Sequence, residues 1–263
     1  MLAVIDIGNT NITIGIYHHN NLIGTYRLTT KFQRTSDEYG FMLLSFLNAS
    51  SISTDDIEDI IISSVVPKIN YSFTNSIKKF LHKNPIFIGP GVKTGIDIRI
   101  DNPSTLGADR LVDAAGAYYT YGGPCLVIDF GTATTYDVVS HKGEFLGGAT
   151  APGIGICTTA LSSQAAKLPE IEIQKPERVI AKNTIKSMQA GVFFGYIGQT
   201  EYLIKQIKKE YQHDMKVIST GGLGRMIAQE TDLIDIYDAD LTFKGLKIIY
   251  DKTKKNLYEK QGS

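Results

Sequence analysis

The sequence predicts an α/β fold made of two related halves, each a mixed sheet flanked by helices, with a cleft between them. Three observations carry this expectation. An apolar strand ending in an Asp-x-Gly turn occurs twice, each copy opens a three-strand meander, and each meander gives way to alternating helices and strands. The second aspartate follows the first by 123 positions, from Asp6 to Asp129, close to half of the 263 residues.

In the first copy an apolar run from Leu2 ends in Asp6-Ile7-Gly8-Asn9-Thr10. A β-prone stretch (11–17), a polar turn (18–21) and a third strand (22–28) follow. In the second copy Cys125-Leu126-Val127-Ile128 ends in Asp129-Phe130-Gly131-Thr132, followed by a strand (134–139), a turn (140–143) and a third strand from Glu144. Alternation bounded by turn formers is the signature of hairpins. Beyond the first meander, Phe41, Leu44 and Leu47 predict a helix over 37–48, and Ile60-Ile61-Ile62 with Val65-Val66 a buried strand. Phe73, Ile77 and Leu81 predict a helix over 70–83, with a short strand at 86–88. The second half reads as helices over 154–167 and 184–211, a strand over 215–219, and a further helix after Gly224. Turn formers cluster at Tyr121-Gly122-Gly123-Pro124, which sets the expected domains at 1–121 and 122–263.

Composition narrows the function classes. Lys plus Arg and Asp plus Glu both number 27, so the net charge is zero and no bulk field draws in nucleic acid or an anionic membrane. Any phosphate must be held locally. The start is too short and too acidic for a signal peptide, and no apolar run approaches the ~20 residues of a membrane span. Cys125 and Cys157 form no CxxC or Cys/His cluster, so they read as packing residues in a reducing compartment, and the expected location is cytoplasmic. None of the five histidines has metal-ligand spacing. The charge-rich stretches 205–210 and 252–255 read as solvated faces.

The first Asp-x-Gly turn suits a phosphate. Gly8 lets backbone approach it closely, and Asn9, Thr10 and Thr13 offer donors. Asp6 would repel a phosphate directly, so its place is to hold Mg²⁺, directly or through water. The competing reading is a tight turn whose aspartate accepts backbone N–H groups; recurrence of the pattern favours the ligand. In the second copy Thr132 would donate to a phosphate and Asp129 would ligate a cation, whereas Thr134 and Thr135 are explained by β propensity. Thr220-Gly221-Gly222-Leu223-Gly224 lets adenine and ribose lie on the backbone, or lets a helix N-terminus meet phosphate. It is no Walker A loop, lacking the Gly-Lys-Ser/Thr ending. In Asn102-Pro103-Ser104-Thr105-Leu106-Gly107-Ala108-Asp109-Arg110, an aspartate and an arginine open a helix: one can accept a proton and the other bind an anion. A helix start with a surface ion pair is the alternative.

These residues together resemble the type III pantothenate kinases, in the superfamily of actin, sugar kinases and heat-shock chaperones. The resemblance runs from Asp6-Ile7-Gly8-Asn9-Thr10-Asn11 to Leu241-Thr242-Phe243-Lys244-Gly245-Leu246. It is most specific at Asn102-Pro103 with Gly107-Ala108-Asp109-Arg110, at Asp129-Phe130-Gly131-Thr132-Ala133-Thr134-Thr135, and at Pro152-Gly153-Ile154. It implies duplicated actin-like (ribonuclease H-like) domains and ATP-dependent phosphorylation of pantothenate to 4′-phosphopantothenate, the first step toward coenzyme A. By matching position, Asp6, Ile7, Gly8, Asn9, Thr10, Asn11, Ile12 and Thr13 form the ATP-phosphate loop, and Asp109 is the general base. Gly107, Ala108, Asp109 and Arg110 line the pantothenate site. Thr132 contacts ATP beside Gly221 and Gly222, Thr184 contacts pantothenate, and Asp129 holds a monovalent cation, potassium or ammonium. Mg-ATP and a homodimer are implied as well. Two positions depart from the family pattern. Ile100, at the substrate site, stands where many members have a tyrosine, which removes a hydrogen bond of ~1 kcal/mol. Ala181 stands where a glycine is common. On the same fold, a nucleotide-binding regulatory protein, or a kinase or phosphohydrolase for another small substrate, is the alternative.

Overall fold

The computed structural model describes residues 1–261. In chain order the elements are β1 (Leu2–Ile7), β2 (Asn11–His18), β3 (Asn21–Thr29), α1 (Ser36–Ala49), β4 (Asp59–Ser64), α2 (Pro67–Leu81) and β5 (Ile86–Phe87). There follow β6 (Asp97–Ile98), α3 (Ala108–Tyr121), β7 (Cys125–Phe130), β8 (Ala133–Val139), β9 (Glu144–Pro152), α4 (Ile154–Gln164) and α5 (Thr184–Tyr211). The chain closes with β10 (Lys216–Thr220), α6 (Gly224–Ala228), β11 (Ile236–Tyr237) and α7 (Leu241–Gln261).

The chain forms two compact units, one of residues 1–96, 104–119 and the chain from Thr242 onward, the other of 97–103 and 120–241. The first holds a sheet of order β3-β2-β1-β4-β5, with β1 antiparallel to β2 and parallel to β4. As a central strand β1 is apolar almost throughout, because both of its faces are covered. Ala3, Ile5 and Ile7 pack with Ile60 and Ile62 of β4, with Tyr39, Leu43 and Leu47 of α1, and with Phe73, Ile77 and Leu81 of α2. Val4 and Asp6 take the opposite face by alternation. There Gly15 packs closely: a Cβ would lie 3.0 Å from Val4 and 3.2 Å from Phe243 of α7. Helix α1 starts on a capping box between Thr35 and Glu38, and α2 starts on Pro67.

The second unit repeats the order as β9-β8-β7-β10-β11, with β6 added on the free edge of β9. Its core joins Leu126, Ile128 and Phe130 of β7 to Tyr136 and Val138 of β8 and to Phe193, Tyr196 and Ile204 of α5. The two sheets differ at the turn. Ile7 pairs with Ile12, whereas Phe130 pairs with Thr134, so the second turn is one residue shorter. Mixed sheets, flanking helices and duplication therefore follow the expected fold class.

Several details differ from the sequence expectations. Val65 and Val66 do not extend β4, because the Val66 N–H turns back to Ser64 Oγ (3.2 Å) and Pro67 starts α2. Helix α4 stops at Gln164, and α6 is only five residues. Residues 252–255 are not simply a solvated face: Lys252 Nζ lies 3.8 Å from the Tyr119 ring centroid, and Lys254 pairs with Asp59 at 2.9 Å. The units are also not contiguous halves split at 121/122, since α7 joins the first. Thr242 donates to Asp113 (2.7 Å), Tyr250 to Asp59 (2.5 Å), and Gly245 lies against the Val112 carbonyl of α3.

That last approach is testable. A Cβ on Gly245 would sit 2.1 Å from Val112 O, a backbone atom that cannot swing aside. Gly245→Ala should cost about 2–3 kcal/mol by overpacking, read as a lower midpoint in urea. A midpoint equal to that of the unsubstituted protein would contradict this packing.

Candidate active site

In the first unit the site begins where β1 ends. Register sets Asp6 beside Ser63 of β4 and Thr13 of β2. In the turn beyond, the Gly8 N–H donates to Asn11 O (2.9 Å), so that amide is used inside the turn, and Asn9 and Thr10 form its exposed tip. Asp6 Oδ1 is buried and has no hydrogen-bond partner among the described residues, and Ser63 Oγ beside it has none either. Burial drives the Asp6 acid up to about 7, and the charge of Asp109 adds to it.

Asp109 is the second residue of α3. Its Oδ1 accepts the Arg110 N–H at 2.8 Å, and a Cβ on Gly107 would lie 2.4 Å from that oxygen. Gly107 therefore makes room for the carboxylate to fold back over the helix start, with Ala108 and Arg110 completing the first turn. Burial raises the Asp109 acid, partly offset by the Arg110 amide and guanidinium. This is a half-buried carboxylate whose charge is felt at Asp6.

In the second unit Asp129 is the last residue but one of β7, opposite Thr220 of β10 and Thr135 of β8. Its carboxylate lies between two glycines. A Cβ on Gly221, whose φ is +91°, would sit 2.6 Å from Oδ1, and one on Gly131 would sit 3.1 Å from Oδ2. Gly222 is exposed, with nothing within 4 Å of its Cβ position. The five-residue α6 offers little helix terminus for a phosphate. Thr132 is exposed at the turn tip. Thr134 is buried and bonds the Tyr196 hydroxyl, so it serves the core.

Thr184 is the exposed first residue of α5, after the N-cap Asn183, whose Oδ1 accepts the Lys186 N–H at 2.9 Å. With Ala181, Cys157 and Tyr196 it lines an open groove of about 900 Å³ beside α4. Ile100 lies past β6, 3.5 Å from the Cβ position of Gly147 on β9. The first unit thus gathers Asp6, Gly107 and Asp109, and the second gathers Asp129, Gly131 and Gly221. Ser63 escaped the sequence reading; its one signal is a Ser63-Ser64 pair interrupting an apolar run.

A cation fits both carboxylates. Asp6 offers a bare buried oxygen, and Asp129 sits in a cradle that a Cβ would fill. Among the described residues no group of three or more His, Cys, Asp or Glu forms a metal cage. Any divalent ion would then take most of its ligands from phosphate and water, as Mg²⁺ does in phosphoryl-transfer sites.

The family model for type III pantothenate kinase matches residues 2–206. The chain belongs to this family. A type III pantothenate kinase of Agathobacter rectalis is 53% identical over 253 residues, covering 96% of this chain and 97% of its own length. Among solved structures, a putative Baf family transcriptional activator from Campylobacter jejuni superposes with a TM-score of 0.59 at 21% identity, over 96% of this chain and 99% of that one. The activator of 2-hydroxyisocaproyl-CoA dehydratase from Clostridium difficile, solved with ADPNP, superposes at 0.56 and 12% identity, over 98% and 97%. At such identities the structures speak to the fold alone, an α/β fold of two mixed sheets flanked by helices.

Asp6 provides a test. An acid raised by folding weakens the folded state as pH climbs from its ordinary value near 4 through about 7. Without divalent cations, Asp6→Asn should match the unsubstituted protein near pH 4. It should exceed it by a margin that grows to on the order of a few kcal/mol by pH 8. Urea midpoints across that range check this; a pH-independent difference would contradict it.

Proposed function

We propose that the chain transfers the γ-phosphoryl group of ATP to the primary hydroxyl of pantothenate, giving 4′-phosphopantothenate and ADP, the first step of coenzyme A biosynthesis. The observation that carries the chemistry is the half-buried Asp109 carboxylate beside the Asp6 turn, on a chain of the pantothenate kinase family. Asp109 takes the hydroxyl proton as the oxygen lone pair attacks the γ-phosphorus and the bond to the ADP oxygen breaks. Its raised acid strengthens it as a base near neutrality. Arg110 steadies anionic groups of the substrates, and Gly107 and Ala108 line the acceptor.

The turn from Asp6 to Thr13 would hold the ATP phosphates, with Asp6 toward a magnesium ion. Asp129 would take potassium or ammonium, Thr132 a phosphate, and Gly221 and Gly222 the nucleoside. Bound Mg²⁺ supplies charge neutralisation at the β- and γ-phosphate oxygens. The rest is positioning, which suffices for much of phosphoryl transfer. Thr184 would reach pantothenate, and Ile100 would meet it without a hydroxyl. The N-terminal part then carries the base and the first phosphate turn, and the C-terminal part the second turn and the glycine-rich nucleotide turn. A homodimer accords with exposed Ile156, Leu161 and Ile185 on α4 and α5. A cytoplasmic setting accords with two free thiols.

A coupled assay of ADP formation with Mg-ATP and potassium tests this. ADP release should depend on pantothenate, and Asp109→Asn should lower kcat at least about 100-fold, the scale of general-base catalysis. Release indifferent to pantothenate would sink the kinase reading in favour of a hydrolase.

A further inference from the structure

The first Asp-x-Gly turn is latched by the residue that leaves β3. Thr30 donates its backbone N–H to Thr10 O (2.9 Å) and its hydroxyl to Gly8 O (2.8 Å). It is 6% exposed, so both bonds are shielded from water. The carbonyls on either side of Asn9 are thus held from one point, while Asn9 and Thr10 stay exposed at the tip. The latch is itself anchored. Arg34 Nη1 donates to Thr29 O at 2.7 Å, and its guanidinium carbon lies 6.0 Å from the Tyr39 ring centroid of α1.

The second unit carries the same device at the same spacing. Gly153 follows β9 as Thr30 follows β3, again 123 positions later, and its N–H donates to Thr132 O at 3.1 Å. The side chain has been eliminated: a Cβ on Gly153 would lie 2.3 Å from Thr132 O and 2.5 Å from Gly131 O. In the shorter second turn the carbonyls close in directly. In the longer first turn the Thr30 hydroxyl spans the gap to Gly8. The backbone bond recurs in both copies, and the first copy adds the Thr30 hydroxyl bond to Gly8 O where its turn is one residue longer.

We propose that Thr30 is a positioning residue for the nucleotide phosphates: its hydroxyl fixes the Gly8 carbonyl and so holds the Asn9–Thr10 tip in one conformation. This rests on the reading of residues 6–13 as the ATP-phosphate turn. Without the hydroxyl, the Gly8 carbonyl loses a shielded partner, the tip samples other conformations, and binding must reorder it.

The test compares Thr30→Val, which keeps the branched shape and the backbone N–H, with Thr30→Ser, which keeps the hydroxyl. Two readouts are needed: calorimetric affinity for a non-hydrolysable ATP analogue with Mg²⁺, and KM for ATP and for pantothenate. Thr30→Val should weaken analogue binding and raise the ATP KM about five- to ten-fold, the scale of one hydrogen bond. The pantothenate KM should stay within about two-fold, and Thr30→Ser should recover to within about two-fold of the unsubstituted protein. If Thr30→Val does not fold, Thr30→Ala takes its place with the same expectation. Unchanged analogue affinity in the hydroxyl-deleted variant, a serine variant as weak as the valine one, or equal rises in both KM values would overturn the proposal. Unsubstituted protein that binds the analogue but ignores pantothenate would sink the kinase reading alone, and the calorimetric comparison would still decide Thr30. Unsubstituted protein that binds no nucleotide overturns both.

Discussion

A carboxylate driven into the end of a central strand is the constraint on which the candidate site depends. Asp6 must follow four buried residues of β1, and alternation then turns it away from the Ile5 and Ile7 core toward the face that meets Phe243 of α7. Burial there leaves Asp6 Oδ1 without a hydrogen-bond partner among the described residues and raises the acid to about 7. Such a group is costly in its charged form unless something cationic answers it. Asp109, half-buried on α3 of the same unit, adds a second negative charge. The fold thus keeps two carboxyl groups whose acids burial raises, and perturbed acids of this kind cluster at functional sites.

Duplication supplies the second carboxylate by a different local solution. Both sheets share one strand order, and both place an aspartate before a glycine at the end of the parallel-paired central strand. The second turn is one residue shorter and tight: Gly153 and Gly221 each stand where a Cβ would collide with the aspartate or with backbone carbonyls. The first turn is looser, with Thr13 beside Asp6 and Thr30 behind the loop. One architecture therefore yields two turns of unlike local construction.

Much of this was legible in the chain itself. The Asp-x-Gly turns, the β1 and β7 runs and the helix over 184–211 follow from local pattern, and α5 spans those same residues behind its Asn183 cap. Asp6 and Asp109 were readable as residue types in revealing places. Helix α7 was not, because its charged residues cover apolar surface: Lys252 lies over Tyr119 and Lys254 reaches Asp59, so its sequence reads as solvated. Strands β6 and β11 have two residues each, too few for any period. Ser63 and Thr30 were invisible for another reason. Their roles come from a parallel register and from the return of β3 to the first turn, both set by pairings between segments distant in sequence.

The central claim is that the γ-phosphoryl group ends on the pantothenate hydroxyl. Phosphorus NMR of a single mixture of protein, Mg-ATP, potassium and pantothenate tests it most directly, because it identifies the phosphorylated product as well as the loss of ATP. The account predicts a phosphomonoester resonance growing one-for-one with ADP, with no matching inorganic phosphate. Inorganic phosphate accumulating in step with ADP, with no new phosphomonoester, would contradict it.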